Sequence, residues 1–228
     1  MRYTTVLFDA DGTLFDFIHC EREALVLACR KNGVNIDEDG IKLYSKINED
    51  CWKALERGEI DKESLRVKRF EDFGKAYGFS CNFDILSREY TDFLAEQNFL
   101  IDGAEEMLAS LYGKCRMYII TNGIEYVQKS RFAKSPINKY FERLFISGEI
   151  GYEKPDVRFF DTVKNEIPDF DAAKTLVVGD SLTSDMKGGI NAGLDCCFYS
   201  PTGKKAPSEM NIKYTVTKLS DIKEIVYG

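Results

Sequence analysis

Five short apolar runs punctuate the chain, at 3–8, 117–120, 144–146, 175–178 and 196–199. Each is continuous rather than alternating and bounded by a turn signal, among them Asp9 with Gly12, Thr121-Asn122-Gly123, Gly179-Asp180 and Ser200-Pro201. Continuous apolar runs of this length suit strands of a parallel sheet covered on both faces. Amphipathic stretches at 103–113, 124–133, 156–166 and 184–192 lie between them. Strand and helix in alternation predict a doubly wound, mostly parallel α/β sheet of the Rossmann-like kind. The rhythm breaks between the first and second strands. Residues 18–32, 38–57, 62–77 and 83–98 read as helices only, with Gly33, Gly58 and Gly78 between or after them and Asp61 placed as an N-cap. The expected organisation is an α/β core from 1–15 and 100–228, with an all-helical cap at 16–99 inserted after the first strand.

Composition narrows the function classes. The 228 residues carry a formal net charge of −7, so no basic face for a nucleic-acid polymer is expected. The seven cysteines are irregularly spaced and contain no C-x-x-C, which argues for reduced thiols rather than a disulfide framework or a zinc site. The N-terminal apolar run is too short for a signal peptide or membrane span, so a cytoplasmic protein without membrane contact is expected. His19 is the single histidine, and no G-x-S-x-G accompanies it, which disfavours a Ser-His-Asp hydrolase.

The chemistry sits where the strands end. In an open parallel sheet, ligands bind beyond the carboxyl ends of the strands. Asp9 and Asp11, Thr121 and Asn122, and Asp180 occupy those ends, and Lys154 follows the third strand just before Pro155. Three carboxylates within a few ångströms repel by roughly 4 kcal/mol per pair at an effective dielectric near 20, so they need a cation to remain ionised together. Carboxylate oxygens and water suit Mg²⁺, and Thr121, Lys154 and the turn at Asn122-Gly123 add donors for a phosphate. The residues themselves therefore point to a metal-assisted phosphoryl site. Each element alone is commonplace; their order and shared strand-end placement carry the reading.

That order resembles the haloacid dehalogenase superfamily. D-A-D-G-T at 9–13 resembles its first motif, Thr121 its second, Lys154 its third, and G-D-S-L-T-S-D at 179–185 its fourth. The resemblance covers essentially the whole chain, because the helical insert lies where members with a C1 cap carry it. The stretch 47–70, T-N-G at 121–123 and 179–194 are similar to the house-cleaning pyrimidine 5′-nucleotidase branch. The resemblance implies a Mg²⁺-dependent phosphomonoester hydrolase with Asp9 as nucleophile and Asp11 as acid and base. It implies a metal held by Asp9, the Asp11 carbonyl and Asp180, with Asp185 behind them. Thr121, Lys154 and the backbone of Asn122 and Gly123 would bind phosphate. Asp11 favours phosphate over halide chemistry, since the family's dehalogenases lack it.

The cap is expected to select the substrate, a small phosphorylated metabolite such as a nucleoside monophosphate. Asn48 and Trp52, four apart on one helix, and Arg66 and Arg69, three apart on the next, are the candidate contacts. Trp52 as cap core and the arginines as a solvated face are the competing readings. Alternatives within the enzyme class are a sugar-phosphate phosphatase and a β-phosphoglucomutase-like phosphomutase. A Schiff-base lysine among Lys42, Lys46 and Lys53 has nothing to mark it. A signalling receiver domain is disfavoured by the position of Lys154 before the G-D strand and by the long insert. A monomer or weak dimer is expected.

Overall fold

The computed structural model describes residues 1–228, which divide into two compact units, Met1–Asp16 with Leu100–Gly228 and Phe17–Phe99. The first unit is built on six parallel strands: β1 (Thr5–Phe8), β2 (Arg116–Thr121), β3 (Arg143–Ile146), β4 (Thr175–Gly179), β5 (Asp195–Tyr199) and β6 (Tyr214–Val216). Their order in the sheet is β3-β2-β1-β4-β5-β6. β1 therefore stands at the point where the winding reverses, between β2 and β4, and the crevice for ligands in such sheets opens there. The register pairs Phe8 with Ile119 on one side and with Val178 on the other, so Asp9 follows β1 directly into that crevice.

The continuous apolar runs are explained by two cores. Side chains alternate along each strand, and here both faces are covered. Val6, Phe8, Ile119 and Val178 pack with Met107, Leu108 and Leu111 of α5 (Ala104–Leu111) and with Ile222 and Val226 near the C-terminus. Leu7, Ile120 and Val177 pack on the opposite face with Phe159, Phe160 and Val163. Those three belong to the helix Val157–Glu166.

The second unit comprises α1 (Phe17–Lys31), α2 (Glu38–Glu56), α3 (Lys62–Tyr77) and α4 (Phe83–Leu94). Short polar side chains start three of them. Asp37 accepts from Gly40 N at 2.9 Å, Asp61 from Ser64 N at 2.7 Å and Asn82 from Ile85 N at 3.1 Å. Tyr44, Phe70 and Tyr90, one from each of α2, α3 and α4, form the aromatic centre, with Phe70 centred 5.2 Å from both tyrosines. The fourth helix ends at Leu94 rather than continuing to 98. Glu96 N and Gln97 N bond three residues back, to Phe93 O and Leu94 O at 3.1 Å, which tightens and closes the last turn.

The core helices after β2 are α6 (Glu125–Lys134), α7 (Ser147–Ile150), α8 (Val157–Glu166), α9 (Lys187–Asn191) and α10 (Ile222–Tyr227). α9 is preceded by a wide π-type turn over Leu182–Met186, where the sequence pattern suggests ordinary helix from 184. β6, α7 and α10 lie beyond the five runs read from the sequence. The signal for β6 is the alternation of Ile212, Tyr214 and Val216, which is too short to stand out. No helix is long and apolar enough to cross a membrane.

Candidate active site

Asp9 leaves β1 into a tight turn. Leu14 N and Phe15 N both donate to Ala10 O at 2.9 Å, and Gly12 N donates to Phe15 O at 3.0 Å. Gly12 adopts φ +86°, and a Cβ there would lie 2.5 Å from Asp180 Oδ2. Glycine is needed for both reasons: the left-handed backbone and the close approach of the β4 loop. Thr13 sits behind the turn, its hydroxyl 3.3 Å from Asp9 Oδ2 and 3.4 Å from Asp180 Oδ1.

Oxygens of Asp9, Asp180 and Asp185 all lie within 4.8 Å of one another. Lys154 closes this group. Its Nζ donates to Asp9 Oδ1 at 2.7 Å, Asp185 Oδ1 at 2.6 Å and the Ile120 carbonyl at 2.6 Å. The lysine is 1% exposed and Asp9 7%. Asp185 also accepts from Ser181 N through its other oxygen, at 3.1 Å, so its orientation is fixed at both ends. Lys154 is held in turn by Asn122, whose side-chain amide donates to Lys154 O and accepts from Lys154 N, both at 2.8 Å. The Lys154-Pro155 peptide is cis.

The electrostatics follow from three carboxylates facing one ammonium, those of Asp9 and Asp185 buried and that of Asp180 open to solvent. Burial and the charge on Asp185 push the Asp9 carboxyl well above its ordinary range, against the pull of Lys154. Desolvation, then Asp185, push Asp180 up to about 7. Burial alone would lower Lys154, but Asp185 and Asp9 outweigh it and hold the ammonium charged. One cation is too few for three anions, and the excess repulsion is what a divalent ion relieves. The donor set fits a hard cation: carboxylate oxygens, with no imidazole or thiolate among them. Gly179 makes room for the Asp185 side chain, since a Cβ there would lie 2.3 Å from Asp185 Oδ2. This acidic group can therefore hold a metal ion.

Thr121 closes β2 beside Lys154. It is buried, and its Oγ1 accepts from Gly123 N at 3.0 Å, which leaves its own hydroxyl hydrogen for another acceptor. The sequence reading assigns backbone N–H groups of Asn122 and Gly123 to phosphate. Here the Gly123 N–H donates to Thr121 Oγ1, and the Asn122 side chain is engaged with Lys154.

Asp11 is turned to a partner set that sequence reasoning missed. Gln128 Nε2 donates to its Oδ2 and Arg131 Nη1 to its Oδ1, each at 2.5 Å. Both donors lie on α6 and are buried. The available signal was a glutamine and an arginine three apart on a helix that opens directly after T-N-G.

In the helical unit, Asn48 and Arg69 come together and Trp52 and Arg66 do not join them. Arg69 Nη1 donates to Asn48 Oδ1 at 2.9 Å, and Asn48 Nδ2 donates to Glu21 Oε1 at 2.6 Å. All three are buried, and Ser45 donates to the other Glu21 oxygen. Trp52 is partly buried and packs against the cluster of Cys51, Leu55 and Leu65. Arg66 is exposed, 3.2 Å from Glu63 and 3.8 Å from Asp84. The solvated-face reading holds for Arg66 and fails for Arg69. His19 stacks on Phe99 with ring centroids 3.9 Å apart.

A parallel sheet with acidic side chains and a lysine at its switch point fits a class of hydrolases of the Rossmann-like kind. The chain belongs to the haloacid dehalogenase-like hydrolases, whose family model matches residues 3–193. It is 36% identical to the HAD-hydrolase YfnB of Bacillus subtilis over 225 residues, covering 99% of this chain and 96% of YfnB. It is 34% identical to the pyrimidine 5′-nucleotidase PynA of Streptococcus pneumoniae, covering 97% of this chain and 94% of PynA. The pyrimidine 5′-nucleotidase YjjG of Escherichia coli is 28% identical, with 99% of each chain covered. The crystal structure of YfnB bound to magnesium superposes with a TM-score of 0.94, covering 99% of both chains.

Proposed function

We propose that this hydrolase is a Mg²⁺-dependent phosphomonoesterase that forms an aspartyl-phosphate on Asp9, and that its substrates are pyrimidine nucleoside 5′-monophosphates. The observation that carries the reaction type is the Lys154 bridge between Asp9 and Asp185, with Asp180 alongside. A buried nucleophilic carboxylate with a cation on one side and a metal-ready acidic face on the other suits in-line attack on phosphorus. The substrate class is supported by the likeness to PynA and YjjG.

Asp9, Asp180 and the Asp11 carbonyl would hold the ion, with Asp185 fixing the surroundings; the ion supplies charge neutralisation between carboxylate and phosphate. An Asp9 oxygen forms the bond to phosphorus while the bond to the ester oxygen breaks. Asp11 gives its proton to the departing alkoxide, then takes one from the water that attacks the aspartyl-phosphate. That water oxygen bonds phosphorus, the Asp9–phosphorus bond breaks, and inorganic phosphate leaves. Lys154 balances charge on Asp9 and on the phosphoryl oxygens, and the free hydroxyl hydrogen of Thr121 donates to one of them.

The test is phosphate release with Mg²⁺ across dUMP, dTMP and UMP, purine nucleotides and sugar phosphates. Preference for the pyrimidine set is expected. Equal or better turnover of sugar phosphates would overturn the substrate assignment while leaving the reaction type standing.

A further inference from the structure

Asp11 has the only site carboxylate whose two oxygens are each held by a different buried side chain of one helix. Gln128 Nε2 binds Oδ2 and Arg131 Nη1 binds Oδ1. Arg131 is fully buried and Gln128 nearly so, while the Asp11 side chain is 23% exposed, so buried donors hold an acceptor that solvent can still reach. Contact at one oxygen fixes where a carboxylate sits. Contact at both oxygens from two origins also fixes the rotation of its plane, which decides where a transferable proton points.

Three further observations show that the neighbourhood is shaped for this grip. The guanidinium of Arg131 lies 4.2 Å from the Phe15 ring, and Phe15 in turn meets Phe132 edge-on at 5.0 Å, so the planar group cannot swing. Gln128 is buried with Oε1 lacking a hydrogen-bond partner. A buried amide with an unused acceptor is unfavourable, and a leucine would fill the space without that cost. Gly123 lies where Gln128 passes: a Cβ there would be 2.2 Å from Gln128 Nε2. An ion pair with one partner buried and the other half-buried is weak evidence for stability, because well-packed apolar residues often do as well. The polar grip, kept at these costs, points to a task.

We propose that Gln128 and Arg131 are positioning residues that aim the Asp11 carboxyl at the oxygen of the departing alcohol, so that α6 couples the Thr121 turn to proton transfer. The proposal rests on the reading of Asp11 as the proton donor and acceptor. General acid help matters most for poor leaving groups and little for good ones. A purely structural role would lower turnover of all esters alike.

The experiment compares kcat for a nucleoside 5′-monophosphate, an alkyl ester, with kcat for 4-nitrophenyl phosphate. It uses the full chain with Mg²⁺ in the wild type, Gln128→Met, Arg131→Lys and Asp11→Asn. Gln128→Met removes no charge and keeps the volume, which guards against a folding defect; thermal unfolding checks this. Both positioning variants are expected to lose about 10-fold or more on the alkyl ester and under about 3-fold on the aryl ester, with KM nearly unchanged. Asp11→Asn should show the same selectivity, more strongly, and Gln128→Met should add almost nothing in that background. Equal losses on both esters, or none, in the positioning variants while Asp11→Asn is selective would overturn the proposal alone. A non-selective Asp11→Asn would overturn the reading of Asp11 beneath it.

Discussion

Lys154 Nζ stands 2.7 Å from Asp9 Oδ1 and 2.6 Å from Asp185 Oδ1, a buried ammonium shared by carboxylates that follow two different strands. The lysine therefore does two things at once. It opposes the protonation of Asp9 that burial and the neighbouring carboxylates favour, and it ties the β3 side of the crevice to the loop after β4.

Replacing Lys154 with Met should remove activity and also loosen the fold. Breaking one partner of a buried pair leaves an uncompensated charge, typically at a cost of about 3–5 kcal/mol. Phosphate release should fall at least about 100-fold. The unfolding midpoint in EDTA should drop, with Mg²⁺ recovering part of the loss. An unchanged midpoint would show that the bridge contributes nothing to stability.

The pH dependence has a defined sign. Asp9 and Asp180 are raised in the folded protein, Asp180 to about 7, whereas in the unfolded chain they titrate near the ordinary value of 3.8. The folded state therefore binds more protons between these values, so stability without metal falls as pH rises from about 4 to 7 through these groups. A divalent ion favours the ionised form and reverses this. The Mg²⁺-induced gain in unfolding temperature should grow as pH rises across that window, read by calorimetry with and without EDTA.

Gly12→Ala should impair metal-dependent activity more than its size suggests. The new Cβ meets Asp180 at 2.5 Å and the backbone is left-handed. Backbone strain of this type costs about 1–3 kcal/mol. Isothermal titration should find weaker Mg²⁺ binding.

In the helical unit, Arg69→Met and Arg66→Ala should separate. Arg69 is buried on Asn48 and lies close to Glu21, so its loss removes the cation beside a buried carboxyl and should destabilise the unit by several kcal/mol, on the order of 3. Arg66 makes only exposed ion pairs, worth about 0–1 kcal/mol. Trp52 is the single tryptophan and sits in this unit, so denaturation followed by its fluorescence reads both variants.

The strands of the sheet interior and the helical insert were legible because their signals are local. Leu7 and Phe8 face opposite cores, so the run containing them is apolar throughout, and Asp37, Asp61 and Asn82 mark helix starts by residue type. The acidic group was legible because strand ends converge at a switch point whatever the loops do. Two kinds of feature were not. β6 has three residues and depends on Tyr199 and the rest of β5 for its pairing. The grip on Asp11 joins residues 117 and 120 positions apart, and nothing in a helix containing Gln128 and Arg131 says which turn its buried face will meet. Arg69 misled for the same reason: an arginine among lysines and glutamates looks solvated until its helix is packed.

In the proposed reaction Asp9 becomes phosphorylated. The direct measurement is acid quenching during turnover of a nucleoside monophosphate with Mg²⁺, followed by mass spectrometry of the peptide that contains Asp9. One phosphoryl group on Asp9 in the wild type, with neither adduct nor phosphate release in Asp9→Asn, is the predicted result. Sustained phosphate release by Asp9→Asn would contradict the account.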